Sequence, residues 1–177
     1  MEELIAKRYI KALKSNADLE SMKNMTTIFS ALAETFKDAS FINIIDNPNV
    51  ATKDKSKILL DSVKEAKSKT VDNFIKLLVE NKRINIIPAI AREMKKDVAH
   101  STKTYEGVIY SDTTIDQGLV EKLSSGLSKK FDSKITLASV KNNFNGIKVD
   151  VEGLGIEINF SKDRIDNQII EHIIKAI

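Results

Sequence analysis

A chain of 177 residues with 42% apolar and 30% charged side chains is rich enough in Ile, Leu and Val to bury a core, which excludes general disorder. The formal charge of +3 hides an asymmetry: residues 1–104 carry 19 basic and 14 acidic side chains, residues 105–177 carry 9 and 11. With no cysteine, and with His100 and His172 far apart, the sequence offers no disulfide, no thiolate nucleophile and a poor start on a zinc site.

The N-terminus, MEELIAKRYIKAL, is charged throughout, unlike a signal peptide, and no apolar run approaches the ~20 residues of a membrane-spanning helix. Leu4, Ile5, Tyr9, Ala12 and Leu13 fall on one broad face of a first helix. Met22, Met25, Phe29, Leu32 and Phe36 recur at spacings of three and four in a second, behind a cap at Asp18. A short run, FINII (41–45), stops at DNPNVATKDK, where Pro48 pushes Asn47 away from helical angles and Thr52 is placed to cap the next helix, which carries Ile58, Leu59 and Val63.

Val71, Phe74, Ile75, Leu78 and Val79 define a fifth helix ending near Asn81. Asn85 is placed to cap a sixth, in which Ile87, Ile90, Ala91, Met94 and Val98 share a face. Pro88 then falls in the first turn, where its missing N–H would have had no partner. Glu80 to Arg83 read as the end of a helix and a turn of the chain, with no reactive group.

After HSTKT the period changes from helical to alternating. YEGVIYS (105–111) reads as a strand, Thr114 to Gln117 as a capping box, and Leu119, Leu123, Leu127 and Phe131 as a helix face. The strands ITLASV (135–140), GIKVDV (146–151) and GIEINF (155–160) follow, and Ile165, Ile169, Ile173 and Ile177 mark a last helix. The expected architecture is an all-α six-helix bundle over 1–104 and a small α+β domain over 105–177, of order β-α-β-β-β-α.

The candidate chemistry is sparse. Gly153–Leu154–Gly155 lacks the third glycine and the strand-to-helix setting of a dinucleotide loop, so a hairpin turn is the simpler reading. Lys53, Lys55, Lys57, Lys64, Lys67 and Lys69 could form a nucleic-acid face, but Asp54, Asp61 and Glu65 dilute them and no aromatic residue is interleaved for stacking. The acidic pairs Asp163 with Asp166 and Asp150 with Glu152 lie in hydrophilic segments with no histidine converging on them. No catalytic, cofactor or metal residue is expected. His172, beside Ile173, reads as a boundary residue, and Tyr9 taken alone as core.

Three stretches resemble the delta subunit family of the F-type ATP synthase, related to the mitochondrial oligomycin-sensitivity-conferring protein. IAKRYIKAL (5–13) is similar to the family's A-x-x-Y-A-x-A-L signature, with Ile10 where alanine is usual. DNPNVATKDKSKILLDSV (46–63) resembles its N-P turn and lysine-bearing helix. NFIKLLVENKRINIIPAI (73–90) is similar to F-x-x-L-L-x-E-N-x-R-x-x-x-L-P, the most specific match. The C-terminal match is thinner: FNGIKV keeps Gly146 of a Gly-Gly pair, and GLGIEINFS keeps Gly153 and Ser161 with Leu154 and Asn159 at the acidic positions.

The resemblance implies a non-enzymatic stator subunit, present once in a hetero-oligomeric complex at the cytoplasmic face of a bacterial inner membrane, without inserting into it and without cofactors. It implies that the helical domain captures the N-terminal helix of an alpha subunit in a groove between its first and fifth helices. Ala6, Tyr9, Ala12 and Leu13 would face Phe74, Leu77 and Leu78 there. It also implies that the C-terminal domain meets the b-subunit stalk, with Ile169, Ile170, Ile173 and Ile174 divided between its own sheet and that partner. The alternative from another class is a nucleic-acid module using the lysine face of 53–69.

Overall fold

Helices occupy the N-terminal part of the chain: α1 (Glu2–Lys14), α2 (Leu19–Thr35), α3 (Ala39–Asp46), α4 (Thr52–Val63), α5 (Lys69–Glu80) and α6 (Ile87–Thr102). A computed structural model describes residues 2–161. The chain divides into two compact units between Val98 and Ala99, within α6. The expected helical region followed by an α/β region is present, with two short 3-10 turns, Lys64–Ala66 and Ile84–Ile86, added to the helix series.

The caps show why the helices start where they do. Asp18 accepts from the Ser21 backbone N–H at 2.8 Å, Asp38 from Ser40 at 2.7 Å and Ser68 from Val71 at 3.4 Å, each satisfying a donor that the helix cannot. Three expected caps are corrected. Thr52 is the first helical residue, behind Ala51, which makes no side-chain cap bond. Asn85 lies in a 3-10 turn and donates instead to Asp46 Oδ1 at 2.7 Å, tying the start of α6 to the end of α3. For α7 (Gln117–Lys130) the cap is Asp116, which accepts from Gly118 at 2.9 Å, rather than Thr114.

The core of the first unit gathers Met22, Met25, Phe29 and Leu32 of α2, Leu59 and Val63 of α4, all five expected residues of α5, and Ile87, Ile90, Ala91 and Met94 of α6. From α1 it takes Ala6 and Ile10. Leu4 and Ala12, placed on the apolar face by sequence, are exposed. Phe29 is fully buried and its ring lies 5.3 Å from that of Phe74.

In the second unit β1 (Thr104–Ser111), β2 (Lys134–Lys141), β3 (Gly146–Val151) and β4 (Ile156–Ser161) form one sheet of order β2-β1-β3-β4. β1 and β2 are parallel, joined through α7, and the other two pairings are antiparallel. The loop after β2 therefore passes β1 to reach β3, while Gly153 and Gly155, both at positive φ, turn β3 directly into β4. Gly146 admits no side chain: its φ is 140° and a Cβ would lie 2.1 Å from the Phe160 carbonyl oxygen.

The inward face of α7 is Val120, Leu123 and Leu127, and Leu119 and Phe131 are exposed. A strict spacing of four advances round the helix at each step, so the ends of the expected stripe swing away from the sheet. The last helix expected around Ile165 to Ile177, and the contact residues Ile169, Ile170, Ile173 and Ile174, lie outside the described residues.

Candidate functional site

Going round α1, three directions have three uses. Ala6 and Ile10 point into the core. Lys7 and Lys14 point to one side, where Lys7 pairs with Glu93 at 3.7 Å and Lys14 with Asp97 at 3.0 Å, both on α6. Tyr9 lies on the other side, against α5, its ring 5.7 Å from that of Phe74. The burial of Ala6 and Ile10 sets the roll of the helix, and the ion pairs on one flank and the ring contact on the other are consistent with it.

Glu93 is a buried charge, 6% exposed, set among Ala89, Ile90 and Met94. Besides Lys7 it meets Lys96 at 3.1 Å, and a carboxylate so placed is tolerable only with such partners. It was not singled out from sequence, although a glutamate inside the apolar period of α6 was the available signal.

Between α1 and α5 the seven expected groove residues separate by depth. Ala6 and Leu78 are fully buried and Phe74 is 4% exposed, so these three form packed floor and are not free to meet a partner. Ala6, Phe74 and Leu78 belong to the bundle's own core, and Phe74 meets Tyr9 of α1 there. Tyr9 and Leu13 are half-buried, Ala12 is exposed, and Leu77 is 43% exposed. Of the seven, Tyr9, Ala12, Leu13 and Leu77 are the accessible ones, and a chain of rings runs from Phe29 through Phe74 to Tyr9.

Over Tyr9 stands Arg83, which sequence reading placed only in the turn that ends α5. Its guanidinium carbon lies 5.8 Å from the centre of the Tyr9 ring, within range of a cation–π contact. The backbone that delivers it is a Schellman motif closing α5. The Arg83 N–H donates to the Leu78 carbonyl at 2.8 Å and the Lys82 N–H to that of Val79 at 3.0 Å, with Lys82 at a φ of 54° in the left-handed position. The Asn81 side chain adds a bond to the Leu77 carbonyl at 2.8 Å.

Elsewhere the surface is conventional. A cavity of about 630 Å³ lies at the N-terminal ends of α2 and α5, lined by Asn16, Asp18, Ser21, Asn24, Ser68 and Thr70 among others, largely residues that cap or open those helices. The hydrogen bond from Ser21 holds the Asp18 carboxyl below the usual carboxylate range. Lys53, Lys57, Lys64, Lys67 and Lys69 are exposed along α4 and the start of α5, with Lys55 half-buried. Among the described residues no group of His, Asp and Glu converges to hold a metal, and no helix is long and apolar enough to cross a membrane.

The fold defines a class of protein: a helical bundle in which Tyr9 of α1 meets Phe74 of α5, with a small α/β unit following in the chain. The chain belongs to the ATP synthase delta (OSCP) subunit family, whose model matches residues 5–166. It is 58% identical over 177 residues to the ATP synthase subunit delta of Sulfurimonas denitrificans, and 41% and 37% identical to those of Nitratiruptor sp. and Aliarcobacter butzleri, each alignment covering both chains fully. A chain from the cryo-EM structure of the Toxoplasma gondii mitochondrial ATP synthase hexamer matches 98% of this one, and 97% of its own length, with a TM-score of 0.65 and 16% identity, a likeness of fold.

Proposed function

We propose that this chain is a peripheral-stalk subunit of an F-type ATP synthase, a stator that performs no catalysis and holds the catalytic head against the torque of the rotor. The first unit takes up the N-terminal helix of an alpha subunit in the α1–α5 seam, and the second meets the C-terminal end of the b-subunit stalk. The complex works at the cytoplasmic face of a bacterial inner membrane, with this subunit attached through its partners and supporting proton-driven ATP synthesis.

The observation that carries the reading is the seam itself. Tyr9 and Phe74 are in ring contact, while Leu77, one turn after Phe74 on α5, keeps 43% of its surface open. An amphipathic helix recognises such a seam through apolar anchors three and four residues apart, gaining about 25 cal/mol for each Å² of apolar surface buried, less the ordering costs. The deciding experiment is calorimetric titration of the whole chain with a synthetic peptide of the cognate alpha subunit's N-terminal segment, at low and high salt. Tight one-to-one binding that survives salt is the expected result. No binding by the folded chain refutes the reading.

A further inference from the structure

We infer that Arg83 makes the α1–α5 seam selective for a partner helix that carries a carboxylate beside its apolar stripe. The inference rests on the groove reading above and adds the partner's chemistry to it. Arg83 is exposed, and no carboxylate lies within ion-pair distance of it among the described residues, although Glu80 stands one turn earlier on α5. On the opposite flank of α1 the cations are satisfied, Lys7 by Glu93 and Lys14 by Asp97.

The cation on the α5 side has its backbone set by the turn, through the 2.8 Å bond to Leu78, and its head group over the Tyr9 ring at 5.8 Å. A guanidinium over a ring keeps its N–H donors free at its edge, and their fork suits a two-pronged bond to a carboxylate.

Selectivity follows from what docking does to this group. A helix that fills the seam over Tyr9 and Leu77 takes water from Arg83 at the same time. If the helix brings only apolar or amide groups to that point, a cation is left desolvated without a counter-charge, which is costly. If it brings Asp or Glu, the cost is met by a charge-assisted hydrogen bond. The arrangement discriminates against the wrong partner as much as it favours the right one.

A double-substitution cycle tests this by calorimetric titration. The probes are the alpha N-terminal peptide and versions of it in which each Asp or Glu is changed singly to its amide. They are titrated against the unaltered chain, Arg83→Gln and Arg83→Lys. One of the amide peptides is expected to bind the unaltered chain about tenfold more weakly than the parent peptide. Arg83→Gln should bind the two alike, and Arg83→Lys, which keeps the charge without the planar fork, should fall between.

Far-UV circular dichroism confirms that the exposed substitutions leave the fold in place. If every amide peptide weakens equally against the unaltered chain and Arg83→Gln, Arg83 does no more than shield Tyr9, and the inference is overturned while the groove stands. If the unaltered chain binds neither parent nor amide peptide, the groove reading fails and takes the inference with it.

Discussion

Leu77 and Leu78 are sequence neighbours with opposite fates, and exchanging each for alanine separates packing from docking. Leu78 is fully buried, in the core that also holds Phe29 and Phe74. Leu78→Ala removes a packed side chain and leaves a cavity, a change that costs about 3 kcal/mol in comparable cores. That is a large fraction of the roughly 5–15 kcal/mol by which a domain is stable. Leu77 keeps 43% of its surface open, so Leu77→Ala should cost only about 1 kcal/mol in the free chain, roughly a third as much.

In the complex the order reverses. Burying a whole leucine side chain is worth about 1.5–3 kcal/mol, and the open part of Leu77 leaves roughly 1 kcal/mol for a docked helix to gain. Its loss weakens binding about fivefold. Urea unfolding followed by circular dichroism reads the first quantity, and titration with the alpha peptide reads the second. The reasoning is refuted if Leu77→Ala unfolds as readily as Leu78→Ala, or if it binds the peptide as tightly as the unaltered chain.

Three further outcomes are expected. Ala12→Trp should leave the melting temperature nearly unchanged, because Ala12 is exposed, and should block the seam, weakening the alpha peptide by more than about tenfold in the same titration. Gly146→Ala should destabilise the second unit by at least about 2 kcal/mol in urea unfolding, since φ is 140° and the added Cβ meets the Phe160 carbonyl. Asp18 adds a pH signature: its folded pKa is lowered by the Ser21 bond, so its stabilisation is complete above the ordinary carboxylate range and is lost as pH falls through the lowered value. Asp18→Asn keeps a capping oxygen without that titration, so its melting temperature should fall less steeply with acid than that of the unaltered chain, and equal slopes would contradict the assignment.

What was legible in the sequence was whatever a local rule could decide. The apolar period of α5 named all five of its buried residues, and β3 was read with its observed ends, because a helix face and a buried strand each repeat at a fixed spacing. The α1 face was misread at Leu4 and Ala12 because hydrophobicity alone cannot say which part of a broad stripe meets the core. The part that does is chosen by tertiary neighbours, Phe74 beside Tyr9 and, for Lys7 and Lys14, acidic partners on α6 more than eighty residues away in the chain. The caps at Thr52, Asn85 and Thr114 failed for a related reason: several Asx and Thr residues cluster at each junction, and tertiary partners such as Asp46 choose among them.

Glu80 to Arg83, inside the segment that carries the most specific family match, were read as a helix end and a turn. The stretch is a stop, but one whose geometry has a product. Lysine at a φ of 54° is an unfavourable choice where glycine is usual, and the turn closes through backbone bonds that any residue could supply. What backbone bonding alone does not require is an arginine at the next position. The aromatic line from Phe29 through Phe74 to Tyr9 ends under that arginine, so the motif that terminates α5 also sets the charge at the edge of the groove. A sequence shows the two events as adjacent letters, and only the fold, by bringing α1 beside α5, makes them one site.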